Sequence, residues 1–240
     1  MQPHYDDNDI AIGGTLCRLA DAGAVITYLT VTDDLVGVLD PALLPAEATE
    51  QLRAEQHEAG VIVGVAEQRW LDWPDAGRID IVTLRDQIVG VMREVQPEIV
   101  LTCDPWLAYE THRDHIQTGS ATLEAAMMAG LARLAVSGAP WNVPTVGLYF
   151  AGEPNAVIDT SSVQERRHRA LDAYRAQFDA DGLAGLHAVL DRHESAQAPV
   201  GATHGEALRI MPSGALHCGV RPLRRPASGG AFIDDRGATP

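Results

Sequence analysis

Short β-rich apolar runs alternate with longer helical segments along most of this chain, and that alternation restricts the fold more than any other feature. Residues 24–31, AVITYLTV, read as a buried strand that ends in the polar Thr32-Asp33-Asp34. The spacing predicts a helix over 46–63 with Gly64 as its stop, a short strand at 68–73 ended by Pro74-Asp75, and an amphipathic helix over 80–95 closed by Pro97. EIVLTC (98–103) reads as a strand, followed by the polar loop DPWLAYETHRDH, and helices at about 114–135 and 162–178 flank a strand near 145–150. Strand–helix alternation of this kind predicts an α/β fold, a mostly parallel sheet with helices on both faces. Such sheets carry their sites at the carboxyl ends of strands, and the polar sequences after residues 31, 73 and 103 all lie at such ends.

Charge narrows the range of partners. The chain of 240 residues carries 18 basic side chains, all of them Arg, against 33 acidic ones, a formal net charge of −15. A surface that acidic argues against nucleic acid and anionic membranes, whose phosphates need a basic face. Cys17, Cys103 and Cys218 are odd in number and widely spaced without a CxxC, which fits neither a disulfide framework nor a thiolate zinc site. The start, MQPHYDDND, lacks an apolar signal region, and no apolar run approaches the roughly 20 residues that span a bilayer. A cytoplasmic protein is the expectation.

Two polar clusters carry the candidate chemistry: His4-Tyr5-Asp6-Asp7-Asn8-Asp9, running into Gly13-Gly14-Thr15-Leu16, and His112-Arg113-Asp114-His115. A metal hydrolase needs two or three fixed ligands, an open position and a nearby base. His4 and Asp7 are three apart, so a loop or first helical turn can aim both at one ion, with His115 as a distant third ligand. That set suits zinc and leaves iron, cobalt and manganese open. Asp6, beside Asp7, is positioned to take a proton from water, and His112 to donate to an oxyanion or leaving amine. Each cluster alone has a plainer reading, a solvated acidic terminus for 4–9 and a favourably charged helix start for HRDH. Gly13-Gly14 alone reads as a turn or a weak echo of a phosphate loop, and Trp70, Trp73 and Trp106 alone as core or rim packing.

Taken in order, these residues resemble the LmbE/PIG-L family of zinc-dependent N-deacetylases. His4 to Asp9 followed by Gly-Gly-Thr-Leu is similar to its HPDDxE…GGTL signature, and HRDH to its second motif, HPDH. The stretches DPWLAYETHRDHIQTG (104–119), TVTDDLVGVLD (30–40) and RWLDWPD (69–75) are most similar to the branch that contains diacetylchitobiose deacetylase, as are 154–178 and EALRIMPSG (206–214). The resemblance covers about residues 2–218 as a single domain, with 219–240 expected to be a poorly ordered tail. It implies a Rossmann-like fold, one Zn2+ per chain on His4, Asp7 and His115, Asp6 as base, and His112 on the oxyanion. It further implies that Arg53 contacts the sugar, that Asp75 lies at the rim with Trp106, that Asp114 orients the neighbouring histidine, and that the protein is a homo-oligomer. The implied substrate is an amino sugar, N-acetylglucosamine or its β-1,4 disaccharide. Alternatives are another N-acetyl sugar conjugate, such as a thiol precursor or antibiotic intermediate, or a non-catalytic relic.

Departures from the family pattern are Tyr5 for Pro, Asp9 for Glu, Arg113 for Pro, and Tyr174 for a histidine. The largest is at the start: members have an apolar central strand just before the first motif, whereas only three residues precede His4 here. Lacking that usual first strand, the sheet is expected to leave backbone groups unpaired, at about 1–3 kcal/mol for each one buried, and His4 without its scaffold, so that the expectation is a true start upstream, the alternative being a crippled chain.

Overall fold

The computed structural model describes residues 1–217, so the expected tail at 219–240 and Cys218 lie outside the described residues. The elements run α1 (Asp7–Asp21), β1 (Thr27–Thr32), α2 (Pro45–Val63), β2 (Glu67–Trp73), α3 (Ile81–Val95), β3 (Ile99–Cys103) and α4 (Arg113–Met128). They continue with β4 (Thr145–Tyr149), β5 (Ala156–Asp159), α5 (Gln164–Leu171), α6 (Ala180–Gln197) and β6 (Gly205–Pro212), with short 3-10 turns at 161–163 and 213–216. The alternation predicted from β1 to β4 is present. The helix expected over 114–135 stops at Met128, and the one expected over 162–178 is a 3-10 turn followed by α5, which ends at Leu171.

β1 pairs in parallel with β2, and β3 in parallel with β4. Beyond β4 the sheet changes sense: β6 runs antiparallel to both β4 and β5. Helices α1, α2 and α5 pack on one another around a core of Tyr5, Ile12, Leu16, Tyr28, Leu52 and Tyr174. A second core around Leu29, Leu84, Ile88, Met92, Ala125 and Val146 joins β1, β3 and β4 to the packed pair α3 and α4.

Residues 1–3 occupy the space between β1 and β3, where the sequence led to an expectation of unpaired backbone groups. They run extended and stitch the two strands together at their carboxyl ends. Gln2 N–H donates to Leu29 O (3.0 Å), Val31 N–H to Gln2 O (3.0 Å) and Thr32 N–H to Pro3 O (2.9 Å). On the other side the Met1 amino group donates to Leu101 O at 2.9 Å. Below this stitch, towards the amino ends of both strands, lies an apolar cavity of about 510 Å³ lined by Ile12, Leu16, Ile26, Met92, Ile99 and Leu101 among others. Its rim leaves Val25 and Ile99 largely exposed.

Gly13 and Gly14 serve packing, which replaces the phosphate-loop reading. α1 breaks at Ile12, where φ is −144° and ψ 23°. The N–H groups of Gly14 and Thr15, freed by the break, donate to the Glu206 carboxylate at 2.8 and 2.6 Å. A Cβ on Gly14 would come within 2.7 Å of the Thr160 side chain, so only glycine allows this approach. The fully buried Arg167 lies between Glu206 (3.5 Å) and Glu194 (2.6 Å).

Burial outweighs Arg167 and the donated N–H groups and pushes the Glu206 carboxyl from 4.5 up to about 7. A carboxyl raised in the folded state stabilises it fully below pH 4.5, and that contribution is lost as pH rises through about 7. Urea midpoints of the wild type should therefore fall between about pH 5 and 8, with a shallower fall in Glu206→Gln. Equal slopes in the two proteins would contradict this.

Candidate metal centre

The site begins with the stitch, because the chain must turn immediately after Pro3. Gln2 Nε2 donates to Tyr5 O (3.1 Å) and Thr30 Oγ1 (2.9 Å), while its Oε1 accepts the Asn8 N–H (2.8 Å). Gln56 from α2 donates to the same two acceptors, Tyr5 O at 2.8 Å and Thr30 Oγ1 at 2.9 Å. From the opposite side Asp34 accepts the Tyr5 N–H (2.9 Å) and the Gln177 amide (2.9 Å). The backbone around Tyr5 is therefore held from both sides, so His4 and Asp6 project from a fixed turn even though Tyr5 replaces a proline.

His4 and Asp7 meet as their spacing suggested. Asp7 Oδ2 accepts the His4 N–H (2.9 Å) and lies 3.2 Å from His4 Nδ1. His115, in the first turn of α4, brings Nε2 to 3.3 Å from Asp7 Oδ1. The other nitrogen of His4 faces Asp75 Oδ1 (3.4 Å) and Asp114 Oδ2 (3.5 Å). His112, the residue that caps α4, completes a triangle of imidazoles, with centroids 4.7 Å from His4 and 5.2 Å from His115.

The carboxylates are held by backbone. Val36 N–H donates to Asp75 Oδ2 (2.9 Å) and Ala76 N–H to Asp114 Oδ2 (2.8 Å). Asp6 is buried, and its carboxylate makes no capping hydrogen bond to α1. Burial, reinforced by the negative charges of Asp7 and Asp34, pushes its carboxyl well above the ordinary range. At Asp7 burial acts in the same sense, but the hydrogen bond from His4 and the charges of His115 and His4 outweigh it and lower the carboxyl. Burial opposes a charge on His4; its contacts with Asp114, Asp7 and Asp75 prevail and raise its pKa far above 6.5.

This donor set fits a divalent ion. A tetrahedral ion with bonds of about 2.0–2.1 Å separates its ligand atoms by about 3.3–3.4 Å. Asp7 presents one carboxylate oxygen to each histidine, Oδ2 at 3.2 Å from His4 Nδ1 and Oδ1 at 3.3 Å from His115 Nε2, and one ligand atom from each of the three lies within 4.8 Å of the others. The raised affinity of His4 for a proton marks a pocket that attracts positive charge.

Arg53 lies outside this cluster. Its Nη2 donates to both oxygens of Asp72 (2.6 and 2.7 Å), and its guanidinium sits 5.0 Å from the Trp70 ring. Trp106 stands exposed on the loop after β3, its N–H bonded to Asp104 Oδ1 at 2.9 Å. Trp73 hydrogen-bonds Gln87 at 2.8 Å. Sequence reasoning did not single out Gln2, Gln56, Asp34 or Tyr28. Asp34 had a signal, its position just beyond the carboxyl end of β1, whereas the two glutamines act through contacts that no local pattern reports.

Behind the ligands, Asp9 is fully buried and accepts hydrogen bonds from the phenols of Tyr28 and Tyr174, and the Tyr174 phenol also reaches Tyr5 O at 3.1 Å. The two departures at positions 9 and 174 thus touch each other. Tyr174→Phe removes a donor to the buried carboxylate and to the turn, and should cost about 1–3 kcal/mol in urea denaturation. Competitive zinc titration should show a loss of affinity of roughly 10-fold. Unchanged stability and affinity would show that Asp9 needs only Tyr28.

Similarity to known proteins agrees with the geometry. Residues 1–126 match the PIG-L family, described as GlcNAc-PI de-N-acetylase. Diacetylchitobiose deacetylase of Thermococcus kodakarensis is 35% identical over 186 residues, which cover 75% of this chain and 70% of that protein. The 1D-myo-inositol 2-acetamido-2-deoxy-alpha-D-glucopyranoside deacetylase of Saccharomonospora viridis is 33% identical over 74% of this chain and 84% of its own length. The solved structure of N,N'-diacetylchitobiose deacetylase from Pyrococcus horikoshii superposes with a TM-score of 0.82 at 29% identity, covering 90% of this chain and 84% of that one. With His4, Asp7 and His115 gathered at the carboxyl ends of a Rossmann-like sheet, this chain belongs to the LmbE/PIG-L family of N-deacetylases.

Proposed function

We propose that the protein is a metal-dependent amidohydrolase that removes the N-acetyl group from N-acetylglucosamine or N,N'-diacetylchitobiose, giving a free amine and acetate. The observation that carries this reading is the buried carboxylate of Asp6, free of a capping hydrogen bond, next to a His–Asp–His set whose ligand atoms lie within 4.8 Å of one another. Similarity to the diacetylchitobiose deacetylases of Thermococcus and Pyrococcus supports the choice of substrate. Similarity to the Saccharomonospora inositol-conjugate deacetylase supports a second reading, an N-acetylglucosaminyl conjugate with another ring at C1.

His4, Asp7 and His115 would hold one divalent ion, with zinc the choice that the two imidazoles and a carboxylate favour. When bound, such an ion polarises a carbonyl and lowers the pKa of water towards about 7. Asp6 takes the proton from the water that attacks the acetyl carbonyl, a task for which its raised proton affinity suits it. The exposed His112 donates a hydrogen bond to the carbonyl oxygen as charge develops there. A C–O bond forms and the C–N bond breaks, while Asp6 returns its proton to the departing amine nitrogen. Asp114 and Asp75 receive the Nε2 side of His4 and so keep Nδ1 turned towards Asp7. The exposed Trp106 offers a flat apolar face at the rim, and Arg53 reaches a sugar hydroxyl once it leaves Asp72.

The proposal extends to a single domain over residues 1–218, a homo-oligomer, and a cytoplasmic setting. The exposed Trp106 and Tyr109 support a neighbouring copy at the rim, and the free, buried Cys17 and Cys103 support a reducing compartment. No helix among the described residues is long and apolar enough to cross a membrane.

Acetate release from a panel of N-acetyl sugars tests the substrate, with turnover expected on the monosaccharide or disaccharide and weaker turnover on the inositol conjugate. Asp6→Asn should reduce turnover by about 10²–10⁴-fold while metal content is unchanged. Full turnover in that variant would remove Asp6 from its role.

A further inference from the structure

His4 presents one ring nitrogen to each of two ligand sets, and only the Nδ1 set is used above. The second set is His4, Asp75, His112 and Asp114, whose ligand atoms all lie within 4.8 Å of one another. The distances from His4 Nε2 to Asp75 Oδ1 and Asp114 Oδ2, 3.4 and 3.5 Å, are again close to the roughly 3.3–3.4 Å edge of a tetrahedral ion. Asp114 is completely buried, yet its Oδ1 has no hydrogen bond, and His4 Nε2, on a side chain nine-tenths buried, meets only the long contacts to Asp75 and Asp114. Unbonded polar atoms at that depth are costly unless a ligand satisfies them.

Charge points the same way. The carboxylates of Asp6, Asp7, Asp34, Asp75 and Asp114 are all buried side chains at this centre. No arginine among the described residues forms an ion pair with any of them. Asp7, Asp75 and Asp114 all face His4, so an ion held on the Asp7 side leaves the other two carboxylates without a cationic partner.

We infer that the protein binds a second divalent cation, beside the first, on His4 Nε2, Asp75, Asp114 and His112. His4 then bridges both ions through its two ring nitrogens, and the Nε2 proton leaves to solvent as the cation replaces it. Binding is weaker at this second position, because it needs that proton to leave and the exposed His112 to be ordered. Since the second ion takes His112 and Asp75, excess metal inhibits the hydrolysis. That last consequence rests on the proposed function; the binding itself does not.

The test is zinc binding by the metal-stripped full chain, followed by equilibrium dialysis with elemental analysis and by calorimetry, with circular dichroism to check that each variant is folded. The wild type should take up two equivalents in separate steps. Asp75→Asn and, separately, His112→Ala should keep the first step and weaken the second by roughly 10-fold or more. A single equivalent at every zinc concentration would overturn the second site while leaving the first. A second equivalent bound equally well by both variants would also overturn it, since the ion would then lie elsewhere on the acidic surface. No zinc at all would overturn the first site and the second together.

Discussion

Everything at the catalytic end of this molecule depends on how three residues are tied into the sheet. Met1, Gln2 and Pro3 bond to Leu29, Val31 and Thr32 of β1 and to Leu101 of β3. These bonds fill the gap between two strands that otherwise pair only outward, with β2 and β4 respectively. The Gln2 side chain then reaches forward to Tyr5 O and the Asn8 N–H, which fixes the turn and the start of α1 in one step. A catalytic constellation must be held to about 0.5 Å, and hydrogen bonds from both faces fix the turn at Tyr5 here. The cavity beneath the stitch loses packing without touching the ligands.

The second constraint is electrostatic. Several carboxylates are concentrated in one buried region, where like charges repel and desolvation disfavours each of them. The backbone N–H groups of Tyr5, Val36 and Ala76 relieve part of this at Asp34, Asp75 and Asp114. The rest falls on His4, whose proton affinity is raised by its contacts with three carboxylates against the opposing effect of burial. The groups that make the empty site unfavourable are those that suit it to a cation. Asp6 remains out of this balance, its carboxyl raised by burial and by its neighbours, as the base role proposed for it requires.

Much of this was legible in the sequence because it is local. The spacing from His4 to Asp7, the position of His115 after an apolar strand, and the alternation from β1 to β4 all depend on short-range pattern. Where the pattern weakens, the reading stopped. β5 is four residues long, and α6 buries only Leu190 and Glu194, so neither carries the apolar periodicity that marks an element. β6 follows a polar turn and pairs antiparallel with β4, which no βαβ rule anticipates. Gly13-Gly14 was visible as a motif, but its reason, the approach of Thr160 and Glu206 from the far end of the chain, was not. The same holds for Gln2 and Gln56, whose shared acceptors belong to different elements. Arg53, read as a sugar contact, is paired in this structure with Asp72, a partner at the end of β2 where the register slips and one that no local pattern reports.

The central claim is that the stitched start of the chain builds a working metal site on His4, Asp7 and His115. Elemental analysis of the purified protein after dialysis against trace zinc, beside a His4→Ala control, tests it most directly. About one tightly held ion per chain, lost in the control, is the result that the geometry requires. Folded, soluble protein that retains no metal would show that the turn after Pro3 does not hold His4 where the hydrogen bonds put it, and the account of the site would fail.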